Sequence, residues 1–284
     1  MSKEALIEAC SSTAKLDRYL SEKGQNHNVY KTYSSLERIQ SWIDSDYLYL
    51  DDGANWNDVH DRHTFNHPGS DVKHFGRCFS FSISESVAMW MLYGGMDKKG
   101  AMLELKKSAM QSLVSQTRNN QITLGQWVDR SFVPVVTLEP GQFDITLKDI
   151  LYAGTQEAGT MYIKRSDEAY ATAPSSIVSK LPHSVKSAAW SYENECRLIL
   201  SVSNNILSSY SNVTSAQIPL MGLLQDSKRV TVYCAPNFSG THPYKPSNLL
   251  GNIDWDLCRD CSKLDKLNQE LHDLRIRAHE YSTV

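Results

Sequence analysis

The run YENECRLILSV at residues 192–202 constrains this chain more than any other stretch. In an extended backbone successive side chains point to opposite faces. Glu193, Glu195 and Arg197 then share one face, and Cys196, Leu198 and Leu200 the other. A second alternating run, GRCFSFSIS at 76–84, sets Phe79, Phe81 and Ile83 against Cys78, Ser80, Ser82 and Ser84. Both read as strands with one apolar face, which places a sheet at the centre of the fold.

Other segments follow the helical period. The first twenty residues read as one amphipathic helix, and SEKGQNHN is a polar break. NVYKTYSS reads as a short strand, after which Ser34-x-x-Glu37 forms a candidate capping box. Leu36, Ile39 and Ile43 line one face of the helix it opens. YLYLDD is strand-like, and Gly53 to Gly76 reads as a long loop rich in Asn, Asp and His. A helix through SESVAMWMLYGG, a strand at GAMLELK and a helix over 107–127 follow. DITLKDILYAG reads as one strand, and 157–190 as helical with a loop at 173–176. IPLMGLL and RVTVYCAP are further apolar segments. Leu257, Leu264, Leu267, Leu271 and Leu274 recur at helical spacing near the end. This divides the chain into a helical segment 1–28, a main α+β domain 29–250 and a C-terminal helix 251–284, the last a candidate partner or dimer surface.

Composition excludes several classes. The net charge is −3, with 29 basic and 32 acidic side chains, unlike a generic polyanion binder. No apolar run approaches the roughly 20 residues that span a bilayer, and the N-terminus lacks an apolar signal core. The six cysteines are scattered and read as reduced, which points to the cytoplasm. Cys258 and Cys261 have CxxC spacing, but no second pair completes a zinc site. No GxxxxGK[ST], GxGxxG after a strand, or GxSxG is present.

Three constellations carry chemistry. Carboxylates two residues apart on a strand stand roughly 6–7 Å from each other. Their repulsion raises one pKa unless a cation intervenes, and Arg197 is placed to intervene. The alternative is a solvated, salt-bridged strand face. The Ser80/Ser82 face has the same pair of readings, and Trp90 and Tyr93, three apart on a helix, are core or a wall for a planar ring. Asp58, His60, Asp61 and His63, with His67 and His74 beyond, are metal-ligand types. No regular register holds them in a coordination geometry, and we expect no metal there. A metal-dependent nuclease centred on that loop is the rival reading.

The ordered motifs resemble a known family. They are Tyr30-Lys31-x-Tyr33-Ser34, YLYL, Asn55-x-Asn57-Asp58, Cys78-Phe79-Ser80, Met89-Trp90-x-x-Tyr93 with Gly100, and Lys186-x-x-x-Trp190-x-x-Glu193-x-Glu195-x-Arg197. From about Tyr30 to Tyr233 they resemble the bacterial domain-of-unknown-function family 2971, with Val59-His60 standing where that family has Pro and an aromatic residue. More loosely, a basic first strand, a Ser-x-Ser strand and a Glu-x-Glu strand are similar to the ADP-ribosyltransferase superfamily. Lys31 departs from that pattern's Arg or His, and Phe81 from its Thr.

The looser resemblance implies a bent, split antiparallel sheet with surrounding helices, and NAD as substrate without a metal. It implies that Glu195 stabilises the positive charge that builds on the ribose, and that Glu193 orients or deprotonates the acceptor. Lys31 (or Tyr33), Ser80, Ser82, Trp90, Tyr93 and Arg197 would contact NAD. The acceptor would be a macromolecule, protein or nucleic acid, and the role that of a toxin or antiphage effector in the bacterial cytoplasm. The alternatives are an NAD glycohydrolase and a non-catalytic ligand- or partner-binding module.

Overall fold

The structure is a computed structural model; it describes residues 3–56, 58–67, 69–82, 87–93, 100–157, 159–166 and 170–234. Its strands are β1 (Val29–Ser35), β2 (Tyr47–Asp51), β3 (Val72–Ser80), β4 (Gly100–Lys106), β5 (Ile122–Val128), β6 (Ser131–Leu138), β7 (Phe143–Asp149), β8 (Leu151–Glu157), β9 (Thr160–Arg165), β10 (Ala171–Pro174), β11 (Val185–Ser187), β12 (Glu195–Ser203), β13 (Ser215–Pro219) and β14 (Val230–Cys234). The helices used below are α1 (Lys3–Ala9), α2 (Thr13–Gly24), α3 (Leu36–Ser45), α4 (Val59–Thr64), α5 (Val87–Tyr93) and α6 (Lys107–Asn119).

The fold is α+β. Among the described residues ten strands form one antiparallel sheet, in the order β14-β4-β1-β3-β2-β13-β5-β6, with β12 branching from β3 and carrying β7 on its far edge. The branching strand β12 carries most of the alternating run at 192–202. A smaller sheet, β10-β9-β8-β11, stands beside it. No described helix is long and apolar enough to cross a membrane.

The apolar faces of β3 and β12 meet α3 and α6. Phe75 and Phe79 pair with Leu200 and Cys196. They pack in one core with Ile39, Trp42, Met110 and Leu113 from the two helices. Each such side chain removed from water contributes about 1.5–3 kcal/mol. A second core joins Leu6, Leu16 and Leu20 of the first two helices to Leu151, Ile163 and Ala173 of the small sheet. The C-terminal end of α2 lies against β7 so closely that a Cβ on Gly24 would stand 2.7 Å from the Leu147 carbonyl oxygen.

The feature that positions the site is a parting in the large sheet. β12 pairs with one edge of β3 from Glu195 to Ser203. On the opposite edge β1 meets β3 at Lys31↔Ser80, and β2 meets it at Asp51↔Gly76. Between Ser80 and Gly76 no described strand faces that edge, and β1 and β2 diverge around it.

Several local expectations are corrected. The first helix is two, because Ser12 caps α2 by accepting from the Lys15 N–H at 3.2 Å. The cap of α3 is Ser35, which accepts from the Arg38 N–H at 3.2 Å, while Ser34 stays in β1. The 53–76 loop contains α4 and the start of β3. The helix over 107–127 stops at Asn119, since Ile122 and Leu124 alternate into the core as part of β5. Residues 157–190 hold β9, β10 and β11 instead of long helix; Gly159, at φ 81°, turns β8 back into β9. DITLKDILYAG is two strands in different sheets, broken at the buried Ile150. Tertiary pairing overrides local propensity in each strand case. Ile83, Ser84, Cys258, Cys261 and the expected 251–284 helix lie outside the described residues.

Candidate active-site cavity

Strand register brings together residues far apart in the chain. Lys31 pairs with Ser80, and Ser80 pairs with Glu195, so the three stand in one row across β1, β3 and β12. Directly opposed residues project to the same face, with Cβ atoms about 4.5–5.5 Å apart. All three are buried, and all line a cavity of about 550 Å³ at the parting of the sheet. Tyr33, Tyr93, Lys186 and Glu193 line the same space.

Other sequence-picked residues stand elsewhere. Ser82 lies two residues beyond the end of β3, half-buried, and its N–H donates to Ser80 Oγ at 3.5 Å. Trp90 is edge-on to Tyr33, with ring centroids 5.0 Å apart, in a small cluster with Met89 and Met102. Neither borders the cavity, and neither does Arg197, which is buried behind Glu195.

The two carboxylates do not share a strand face. Glu193 ends a 3-10 turn, Ala188–Glu193, and Asn194 in left-handed conformation (φ 46°) separates it from the start of β12. They converge instead on one ammonium: Lys186 Nζ donates to Glu193 Oε2 at 2.6 Å and to Glu195 Oε2 at 3.0 Å. The solvated-face alternative also fails, because these side chains are buried. Glu193 and Glu195 are each 2% exposed and Arg197 0%.

Behind the carboxylates sits a second cation. Arg197 Nε donates to Glu195 Oε1 at 2.5 Å, and Nη1 donates to Asp61 Oδ1 at 2.9 Å. Nη2 completes a forked pair with the same Asp61 carboxylate. Asp61 comes from α4, inside the segment read as a His-rich loop, and is 2% exposed. Trp56 covers the guanidinium at 4.7 Å, and Trp190 covers the Lys186 ammonium at 5.0 Å. Gly76 makes room for this cover: a Cβ there would lie 2.6 Å from Phe65 and 3.3 Å from Trp56. Among the described residues no group of three or more His, Cys, Asp or Glu has metal-holding geometry.

The balance of charge decides what each carboxyl can do. Asp61, Glu193 and Glu195 face two cations, Lys186 and Arg197, so full ionisation leaves one surplus negative charge in a buried site. Burial and the neighbouring Glu195 charge, opposed by Lys186, raise Glu193 to about 7. Burial also pushes Glu195 up, but Arg197 and Lys186 pull harder, and it stays ionised below the usual carboxylate range. Burial lowers Lys186 most, yet the Glu195 and Glu193 charges together outweigh it and hold it protonated. Tyr93 Oη donates to Glu193 Oε1 at 2.7 Å, and burial and that carboxylate keep the phenol protonated. The Glu195 backbone N–H donates to Tyr152 Oη at 2.8 Å, which holds the start of β12 in place. The arrangement therefore offers one permanent negative charge and one carboxyl able to exchange a proton near neutrality.

Two arginines and Asp51 line another part of the cavity. Arg77 of β3 lies over the Trp42 ring at 4.2 Å, and its Nε donates to Thr32 Oγ1 at 3.3 Å. Arg38 of α3 borders the same space. Trp127 lines it from β5, packed against Tyr49 and Phe132 at centroid distances of 4.9 and 5.8 Å.

Sequence reasoning quoted Lys186 and Trp190 in the closing motif without giving them a role. Asp61 appeared only as a rival metal ligand, and Arg38, Arg77, Trp56 and Tyr152 were missed. A lone Arg or Asp in sequence carries no mark of the partner it meets.

Residues 89–198 match the family model DUF2971, described as a protein of unknown function. No curated protein and no solved structure matches the chain.

Proposed function

We propose that the cavity is the active site of an NAD-dependent ADP-ribosyltransferase acting on a macromolecule, protein or nucleic acid. The observation that carries this reading is the in-register row Lys31–Ser80–Glu195 at the wall of one cavity, with Glu193 beside it. The transferase resemblance implies a split antiparallel sheet, and the parting of the large antiparallel sheet beside that row supports the reading.

Cleavage of the nicotinamide–ribose bond sends its electron pair to the nicotinamide nitrogen and leaves positive charge on the ribose. Glu195, held ionised, supplies the opposing charge. The acceptor nucleophile then bonds to the same ribose carbon, and its proton passes to Glu193. Ser80 would hydrogen-bond ribose or carboxamide, and Tyr93, fixed on Glu193, would flank the nicotinamide. Water as acceptor would make the same site an NAD glycohydrolase. A second reading has its own support: the salt-bridged oxygens of Glu195 already contact Arg197 and Lys186, as in a structural network of a non-catalytic module.

Incubation with labelled NAD and lysate, followed by protease or nuclease digestion, tests the transfer. Glu195→Gln keeps shape and removes charge. We expect turnover to fall by about a hundredfold or more while NAD binding changes little. A Glu195→Gln protein as active as the parent would overturn the mechanism; NAD bound without turnover by the parent would select the binding module.

A further inference from the structure

We propose that Arg38 and Arg77 form an anion site for a diphosphate in the cavity that Glu195 also lines. This rests on the NAD reading for the ligand's identity only; the site itself rests on the two guanidinium groups.

Both side chains border the cavity, and among the described residues neither has a carboxylate within ion-pair distance. Arg77 is held as a binding residue would be. Trp42 supports the guanidinium plane, and Nε points at Thr32 Oγ1. Among the described residues that contact leaves Nη1 and Nη2 without a hydrogen-bond acceptor. Asp51 of β2, paired with Gly76 and lining the same cavity, partly offsets the Arg77 charge, and its Oδ1 accepts from Ser215 Oγ at 3.2 Å. Burial lowers Arg77 to about 10, with Asp51 opposing and Arg38 adding to the fall, so it remains a cation at neutral pH.

Arg38 makes the case independently. It lies in the first turn of the ten-residue α3, where a cation adds to the positive end of the helix instead of offsetting it. Two like charges beside one cavity, one of them at a helix N-terminus and offset in part by Asp51, favour an anion with several oxygens. Guanidinium forks match such oxygens two at a time. Thr32 and Ser34 border the same space.

Calorimetric titration of the full chain with inorganic pyrophosphate and, separately, with NAD tests this. We expect both to bind, each affinity to fall about tenfold with Arg38→Gln, and to fall further with Arg38→Glu. Arg77→Lys, which keeps the charge and loses the fork, should weaken both by a similar factor. Arg38 is exposed, so its variants report binding even where Arg77 variants fail to fold. Pyrophosphate binding lost in the Arg38 variants while NAD never binds would uphold the anion site and reject NAD. Pyrophosphate that fails to bind the parent chain, or binds the Arg38→Glu protein as tightly, overturns the inference, whatever NAD does.

Discussion

The cavity has two walls built from the same kinds of side chain, and they behave oppositely. At the Glu195 wall two cations and three carboxylates satisfy one another within hydrogen-bond or ion-pair distance, under a cover of Trp56 and Trp190. At the Arg77 wall two guanidinium groups line the space with no carboxylate paired to either among the described residues. The difference is in partners and not in residue type. A buried charge whose partners come from the chain serves the fold and tunes its neighbours; a charge left facing a cavity is available to a ligand.

The largest effect should come from removing a cation at the compensated wall. Arg197→Met strands Glu195 and Asp61 as buried, under-compensated carboxylates, and we expect a loss of about 3–5 kcal/mol in urea denaturation. A loss below about 1 kcal/mol would mean that the network does not hold this wall together.

The next is a pH signature of Glu193. Its folded pKa, about 7, lies above its ordinary 4.5, so its stabilising contribution is complete below 4.5 and disappears as pH rises through 7. Loss of the same proton creates the base, so transfer activity should rise over that upper range while stability declines. Glu193→Gln cannot titrate; it should flatten both trends and lower transfer by about a hundredfold, with NAD hydrolysis partly retained. A rate profile for the variant that still bends near pH 7 would assign the titration to another group.

The smallest effect falls at the open wall. Arg38→Gln relieves Arg77 of a like charge and the helix of an unfavourable one, so stability should stay within about 0.5 kcal/mol of the parent, or rise. A clear destabilisation by the same urea measurement would make Arg38 structural and erase the contrast between the walls.

Periodicity made much of this legible in advance. The alternation at 192–202 and 76–84 marked the two central strands, and the polar residues Ser80 and Glu195 were read on the correct faces because side-chain direction in a strand is local geometry. The same local reading failed at Glu193. Asn194 takes a left-handed conformation that no alternation pattern reveals, and it lifts that carboxyl off the strand. It failed over 157–190, where pairing between β8, β9 and β10 overrode local preference.

The sequence by itself determined an α+β chain, the faces of its central strands, and the types of side chain available for chemistry. Only the tertiary structure decided that Asp61 would meet Arg197 across 136 positions, that Lys186 would stand between two glutamates, and that Arg77 would face a cavity. The physical reason is that charge is a property of a residue, whereas its energy depends on burial and on which charges lie within a few ångströms. Those neighbours are set by strand register and by the parting between β1 and β2, both outcomes of packing the whole sheet.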